Sequence, residues 1–210
     1  TKNILAVGAH FDDIELGGGG SIAKHAIEGD NVYAYVATVS GFSNPYSKSV
    51  RKNSIAKKEG KAAMNVLGIK KLYTGNFETL KVEFNEKLNV EILKIIEKNK
   101  IDQVYSHWTG DIHHDHKAVG KATLHSARHV KNILLYRSNW YHSTDMFNGN
   151  FYIDISKTWN IKEKSILQHS SEMKRTGQKW INFFHNEALN AGQKINVKYA
   201  EVFEVVKYLA

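Results

Sequence analysis

Short apolar runs alternate with amphipathic stretches from one end of the chain to the other. Residues 3–9, NILAVGA, and residues 32–39, rich in Val, Tyr and Ala, read as buried strands. Between them SIAKHAIEG starts on Ser21 and stops at Gly29, the punctuation of a short helix. A strand, a helix and a strand within about 40 residues mark a parallel sheet. The alternation continues with a helix over 54–67 that stops at Gly68, a strand over 71–73, an amphipathic helix over 85–99 and a strand over 101–107. A helix over 117–130, strands over 133–136 and 151–155, a helix over 161–174 and a closing strand over 199–208 follow. The pattern predicts one α/β domain over residues 1–210, a Rossmann-like, mostly parallel sheet flanked by helices. No repeat, low-complexity tract or interdomain linker interrupts it.

In an open α/β sheet, ligands bind beyond the carboxyl ends of the strands, where the strand order reverses. The segments after the first and fourth strands are therefore the ones to inspect: AHFDDIELGGGG at 9–20 and HWTGDIHHDH at 107–116. The first places His10, Asp12 and Asp13 just past a buried strand, where ligands can converge on one ion. Alone, it reads first as a helix-capping Asp pair beside a partly buried His. The second crowds His113, His114 and His116 with Asp111 and Asp115 ahead of a helix, and Asp115 as a simple cap is its competing reading. Two His/Asp clusters at the same edge of one sheet favour a metal site over either.

Composition narrows the donors. The chain has no cysteine, which excludes a disulfide framework, a thiolate nucleophile and a Cys-based zinc site, so any metal is held by His, Asp or Glu. No apolar run approaches the roughly 18 residues of a membrane span, and the first ten residues lack the length and flanks of a signal peptide. A soluble, cytoplasmic protein is expected. The formal net charge of +8 favours anionic partners. Its lysines are scattered through helical segments, however, so nucleic acid is not the expected partner. Arg51, Lys57 and Lys58, lying after the second strand, instead point to a small anionic substrate such as a phosphate. Gly17–Gly20 are read first as close packing of helix on sheet, with a phosphate cradle as the alternative.

Two imidazoles and one carboxylate leave one coordination position open, which suits a catalytic zinc with a water, although the same donors also hold iron(II). The first loop resembles the His-Pro-Asp-Asp signature of the LmbE-like, or PIG-L, family of zinc deacetylases. DIHHDHKAVG resembles that family's Asp-x-His-x-Asp-His element, and FYIDIS at 151–156, HSSEM at 169–173 and YAEVF at 199–203 are weaker echoes. The resemblance implies a Zn2+ cofactor held by His10, Asp13 and His116, with Asp12 as general base. It also implies that His113 stabilises the oxyanion while Asp115 orients its ring. The implied substrate is an acetamido sugar of the N-acetylglucosamine type, free or joined to phosphate, nucleotide or lipid, within carbohydrate metabolism such as polysaccharide biosynthesis.

Three positions depart from the family pattern. Phe11 stands where a proline is usual. Ala56 stands where an arginine often precedes Glu59, leaving Arg51, Lys57 or Lys58 to replace it. Ala191 and Gly192 follow Asn190 where relatives often carry Arg-Gly. Trp108, Trp140, Tyr141 and His142 are candidates for stacking on a sugar ring, with core packing their competitor. Ser40, Ser106 and Ser138 lack a nucleophile elbow, so serine chemistry is not expected. His25, His125, His129 and His185 lie in helical segments away from both loops. The alternative function is a non-catalytic carbohydrate or nucleotide-sugar binding module, against which Asp12 argues, since a binding module needs no base. The partners expected are a small-molecule substrate and no membrane span, and a homo-oligomer is compatible with the sequence.

Overall fold

The computed structural model describes residues 1–209. In chain order it forms β1 (Asn3–Gly8), α1 (Asp13–Ile27), β2 (Asn31–Thr38), β3 (Phe42–Ser43), β4 (Ser49–Arg51), α2 (Asn53–Val66), β5 (Lys71–Phe77), α3 (Glu86–Asn99), β6 (Gln103–His107) and α4 (His114–Ser126). Then come β7 (Asn132–Tyr136), β8 (Phe151–Asp154), α5 (Trp159–Leu167), α6 (Ser170–Thr176), α7 (Lys179–Lys194) and β9 (Ala200–Lys207). Seven strands make one sheet in the order β5-β2-β1-β6-β7-β9-β8. The first five run parallel, and β9 is antiparallel to both β7 and β8. The chain winds outward from β1 in one direction and then returns to β6 on its other side, so the order reverses between these two strands, at the place where a ligand belongs. The fold is the expected single α/β domain. Among the described residues no helix is long and apolar enough to cross a membrane.

The first helix differs from expectation. It begins at Asp13, not at Ser21, and runs straight through Gly17–Gly20. Asp13 and Glu15 in its first turn complement the positive end of the helix dipole. A Cβ on Gly17 would lie 2.1 Å from the Tyr136 ring, and one on Gly20 would lie 2.7 Å from Ile155. Glycine is required there because α1 lies directly on β7 and on the segment after β8. The Gly20 and Ser21 N–H groups donate to the buried Glu201 carboxylate at 2.9 and 2.7 Å, and Glu201 pairs with buried Lys162. The tetrad thus serves helix–sheet contact and leaves no phosphate cradle.

The glycines make a paired prediction. Gly17→Ala should destabilise the protein by about 1–3 kcal/mol through overpacking against Tyr136. Gly18→Ala should stabilise it by up to about 1 kcal/mol, since an added Cβ meets nothing nearer than 3.6 Å and helix propensity improves. Denaturant melts of both variants check the sign; a Gly17→Ala protein as stable as wild type would contradict the close approach.

Other differences are local. The helix over 161–174 divides into α5 and α6, α4 starts within the second loop at His114, and α7 has no counterpart among the expected elements. Its signal is legible: Trp180, Ile181, Phe184, Ala188 and Ala191 recur at helical spacing and are buried. The hairpin β3–β4, too short for a periodic pattern, delivers Arg51 to the site.

Candidate metal centre

Both predicted loops leave adjacent strand ends, and their side chains converge. His10 Nδ1 lies 3.2 Å from His116 Nε2 and 3.3 Å from Asp13 Oδ2, and His116 Nε2 lies 3.1 Å from Asp13 Oδ1. A tetrahedron with arms of roughly 2.0–2.1 Å has edges of about 3.3–3.4 Å, so these three donors fit one face of a zinc coordination sphere. The outer nitrogen of each ring is tied to a carboxylate. His10 Nε2 donates to Asp115 Oδ2 at 2.8 Å, and His116 Nδ1 donates to Asp111 Oδ2 at 3.0 Å. Each tie fixes the tautomer that leaves the inner nitrogen bare, as metal-binding histidines require.

The carboxylates crowd negative charge around the rings. Burial disfavours a charged His10, but Asp115 and Asp13 outweigh it and push its pKa up to about 10. His116 is pushed up to about 9 against the same burial, chiefly by Asp13 and Asp111. The field that holds protons on these rings is one that a divalent cation can replace.

Asp115 is placed otherwise than expected. Its carboxylate holds His10 and accepts the Leu80 and Val82 N–H groups at 2.7 and 3.1 Å, with no side-chain bond to His113 among the described residues. His113 instead caps α4, its Nδ1 accepting the Asp115 N–H at 3.2 Å. Burial and the neighbouring His116 and His10 push His113 down to about 4. A neutral ring whose Nδ1 accepts carries its proton on Nε2, so His113 offers one N–H donor.

Asp12 has a backbone φ of 136°, sparsely populated for a residue with a side chain, and makes no capping hydrogen bond with its carboxylate. That carboxylate accepts from Arg51 Nη1 at 3.2 Å. Burial and the adjacent Asp13 raise its pKa to about 7 despite the guanidinium. Arg51 also reaches Glu59, with Nη2–Oε2 at 3.0 Å. Of the three proposed replacements for the family arginine, it is the one at the site, while Lys57 and Lys58 are exposed and line no part of this cavity. Ala56 is buried in the core. Phe11 is also buried, 2.1 Å from where a Cβ on Gly60 would stand, so it anchors α2 where a proline would have restricted only the backbone.

The centre opens into a cavity of about 340 Å³ lined by His10, Asp12, Asp13, His113 and His116 together with Trp140 and Tyr141. A larger cavity of about 1070 Å³ on the other side of Trp140 contains none of those five site residues. Trp140 and Tyr141 wall the cavity beside the centre, whereas Trp108 is buried in the core and His142 lines only the larger cavity. Ser138 donates to Asp13 at 2.9 Å and Ser40 accepts the Phe11 N–H at 2.8 Å, so neither is a free nucleophile.

Four supporting residues lay outside the sequence-based assignment. Asp111 orients His116 and accepts twice from Asn139 Nδ2, at 2.9 Å each; burial favours its neutral form, but His116 and these donors hold it at about 2. Ser138 holds Asp13. His107, the last residue of β6, is fully buried, stacks on His116 at 4.1 Å and comes within 3.1 Å of Asp13 Oδ2. It could complete an alternative group with Asp13 and His116, but it does not line the cavity, so an ion held there would have no open face. Asp111 and His107 sit inside the second loop and could have been found there; Ser138 and Asn139 follow β7 and carry no motif.

A family model described as PIG-L, GlcNAc-PI de-N-acetylase, matches residues 5–127. The uncharacterized deacetylase YaiS of Escherichia coli is 33% identical over 149 residues, 66% of this chain and 76% of its own. The diacetylchitobiose deacetylase of Thermococcus kodakarensis is 23% identical over a 218-residue alignment covering 95% of this chain and 81% of that protein. The solved structure of the N,N'-diacetylchitobiose deacetylase of Pyrococcus horikoshii, complexed with its inhibitor, superposes with a TM-score of 0.84 at 24% identity, covering 98% of this chain and 84% of that one.

Proposed function

From the premise that this chain belongs to the PIG-L family of de-N-acetylases, hydrolytic enzymes acting on amides, we propose that it removes the N-acetyl group of a neutral acetamido sugar of the N-acetylglucosamine type. The observation that carries this reading is the triangle of His10, Asp13 and His116 donors, with both ring tautomers preset by carboxylates, opening onto a cavity walled by Trp140 and Tyr141. Zinc held by these three residues would supply a Lewis acid and lower the pKa of its water towards about 7.

The chain's own groups then divide the proton work. Asp12, beside but not within the triangle, takes the proton of the attacking water and delivers it to the departing amine. His113 Nε2–H donates to the carbonyl oxygen as negative charge develops there. Asp13 is committed as a charged ligand, held by Ser138, so the adjacent aspartates do different work. The cavity's cations are already engaged, Arg51 with Asp12 and Glu59, and Arg175 with Glu172. Of the basic residues that pointed to an anionic substrate, Lys57 and Lys58 line no part of the cavity and Arg51 is already paired with carboxylates, which favours a neutral sugar.

Acetate release from N-acetylglucosamine, N,N'-diacetylchitobiose and N-acetylglucosamine 1-phosphate, each at low and high salt, tests this. Turnover of the neutral sugars with kcat/KM indifferent to salt is expected. No acetate from any of them by metal-loaded protein would refute the reading; a strong preference for the phosphate that fades with salt would restore the anionic substrate.

A further inference from the structure

Among the described residues, the Asp12 carboxylate is held by one hydrogen bond, from Arg51 Nη1, on a backbone that is itself strained. The aim of the base therefore depends on the aim of the guanidinium. Arg51 is buried and gripped on several sides: Nη1 also donates to the Phe11 carbonyl at 3.1 Å, and Nη2 donates to Glu59 and, at 3.0 Å, to His169 Nδ1. Glu59 is in turn held by Ser170 and Ser171, at the start of α6. His169 is fully buried, and its Nε2 lies 2.7 Å from Oε1 of Glu15, also fully buried, on the first turn of α1.

The order of donors in this chain is forced. Arginine has no acceptor, so Nδ1 of His169 must be bare, and the ring's proton must sit on Nε2 facing Glu15. Burial opposes a charge on His169 and Glu15 favours one, with a net upward shift. The hydrogen bond from Arg51 itself requires the singly protonated ring, because a second proton on Nδ1 would face another donor. Glu15 thus acts on His169 as the carboxylates act on the metal-facing histidines, selecting a tautomer and sharpening the opposite nitrogen. Neither residue touches the cavity.

We propose that Glu15 and His169 are positioning residues of the hydrolysis: a carboxylate–imidazole brace that fixes the Arg51 guanidinium and, through it, the Asp12 carboxylate. The proposal rests on Asp12 being the general base. It gives the HSSEM segment, which carries no cavity-facing ligand of the metal triangle, a function in turnover.

The test combines variants of metal-loaded protein with a spectrum of the metal-free one, using N,N'-diacetylchitobiose or whichever sugar of the panel turns over fastest. His169→Leu should lower kcat by roughly 10 to 100-fold with KM and metal content little changed. His169→Asn, whose Oδ1 can stand where Nδ1 stood and accept from Arg51 but which loses the bond to Glu15, should recover only part of that loss. In an Asp12→Asn background, His169→Leu should cost less than about twofold more, because the group it serves is gone. Nitrogen-15 spectra of the histidine rings should show His169 neutral with its proton on Nε2. Should His169→Leu fail to fold, Glu15→Gln enters the same cycle. A His169→Asn enzyme as slow as His169→Leu, losses that multiply in the double variant, or a proton on Nδ1 would each overturn the brace. Near-normal kcat in Asp12→Asn alone would instead remove the base assignment, and the brace with it.

Discussion

Asp12→Asn should retain its metal and lose roughly 10² to 10⁴-fold in kcat, the usual contribution of a positioned general base. The substitution is nearly isosteric, and asparagine tolerates positive φ as well as any residue with a side chain, so the strained backbone at 136° need not rearrange. The amide oxygen can still accept from Arg51 Nη1, which keeps the side chain pointed as the carboxylate was. What the amide cannot do is take a proton. Folding, metal content and KM should therefore stay close to wild type while turnover collapses. A second signature follows from the sign of the ionisation: the base works only as a carboxylate, so kcat/KM of the wild type should fall as the pH drops and Asp12 protonates. That acid limb should be missing from the residual activity of the variant. A variant with near-normal kcat, or one that keeps the acid limb unchanged, would assign the proton transfer to another group, and His113, pushed down to about 4, is the next to examine.

The site was legible where chemistry is local in sequence and obscure where it is not. His10, Asp12 and Asp13 follow one strand and His113, Asp115 and His116 follow another, and the rule that ligands gather where strand order reverses was enough to bring the two loops together. Which carboxylate serves which histidine was not recoverable, because Asp115 lies two residues from His113 but reaches His10 across the sheet edge. Sequence distance favoured the wrong partner. Arg51 was one of three basic candidates, and only the β3–β4 hairpin, too short to announce itself, turns it inward. Four glycines disfavour a helix by roughly 1 kcal/mol each relative to alanine, so a helix starting at Ser21 is what the local sequence favours even with Gly17–Gly20 read as close packing. Tertiary contact reverses that preference, since Tyr136 and Ile155 occupy the space side chains would need. Trp180 to Ala191 carry a readable helical period, so α7 is legible in the sequence.

Metal retention across four substitutions should separate the two overlapping groups of ligands. His10→Ala and His116→Ala each remove one corner of the triangle and should leave the protein without stoichiometric zinc and without turnover. Asp111→Asn keeps the shape of the residue but weakens the bond that presets His116, and should reduce zinc affinity by about 10 to 100-fold while leaving a functional centre. His107→Gln should keep its metal, because the Gln Oε1 can stand near Nε2 and accept the Ala9 N–H, and because His107 does not face the cavity. Melting temperature gives an independent reading of the same series. An ion that binds only the folded protein stabilises it by RT ln(1 + [L]/Kd), about 4.1 kcal/mol at a thousandfold excess over Kd. A chelator should therefore lower the wild-type and His107→Gln melting points, yet barely move those of His10→Ala and His116→Ala. Loss of zinc from His107→Gln together with its retention in His10→Ala would transfer the ion to the closed group of Asp13, His107 and His116 and take away the open position on which hydrolysis depends.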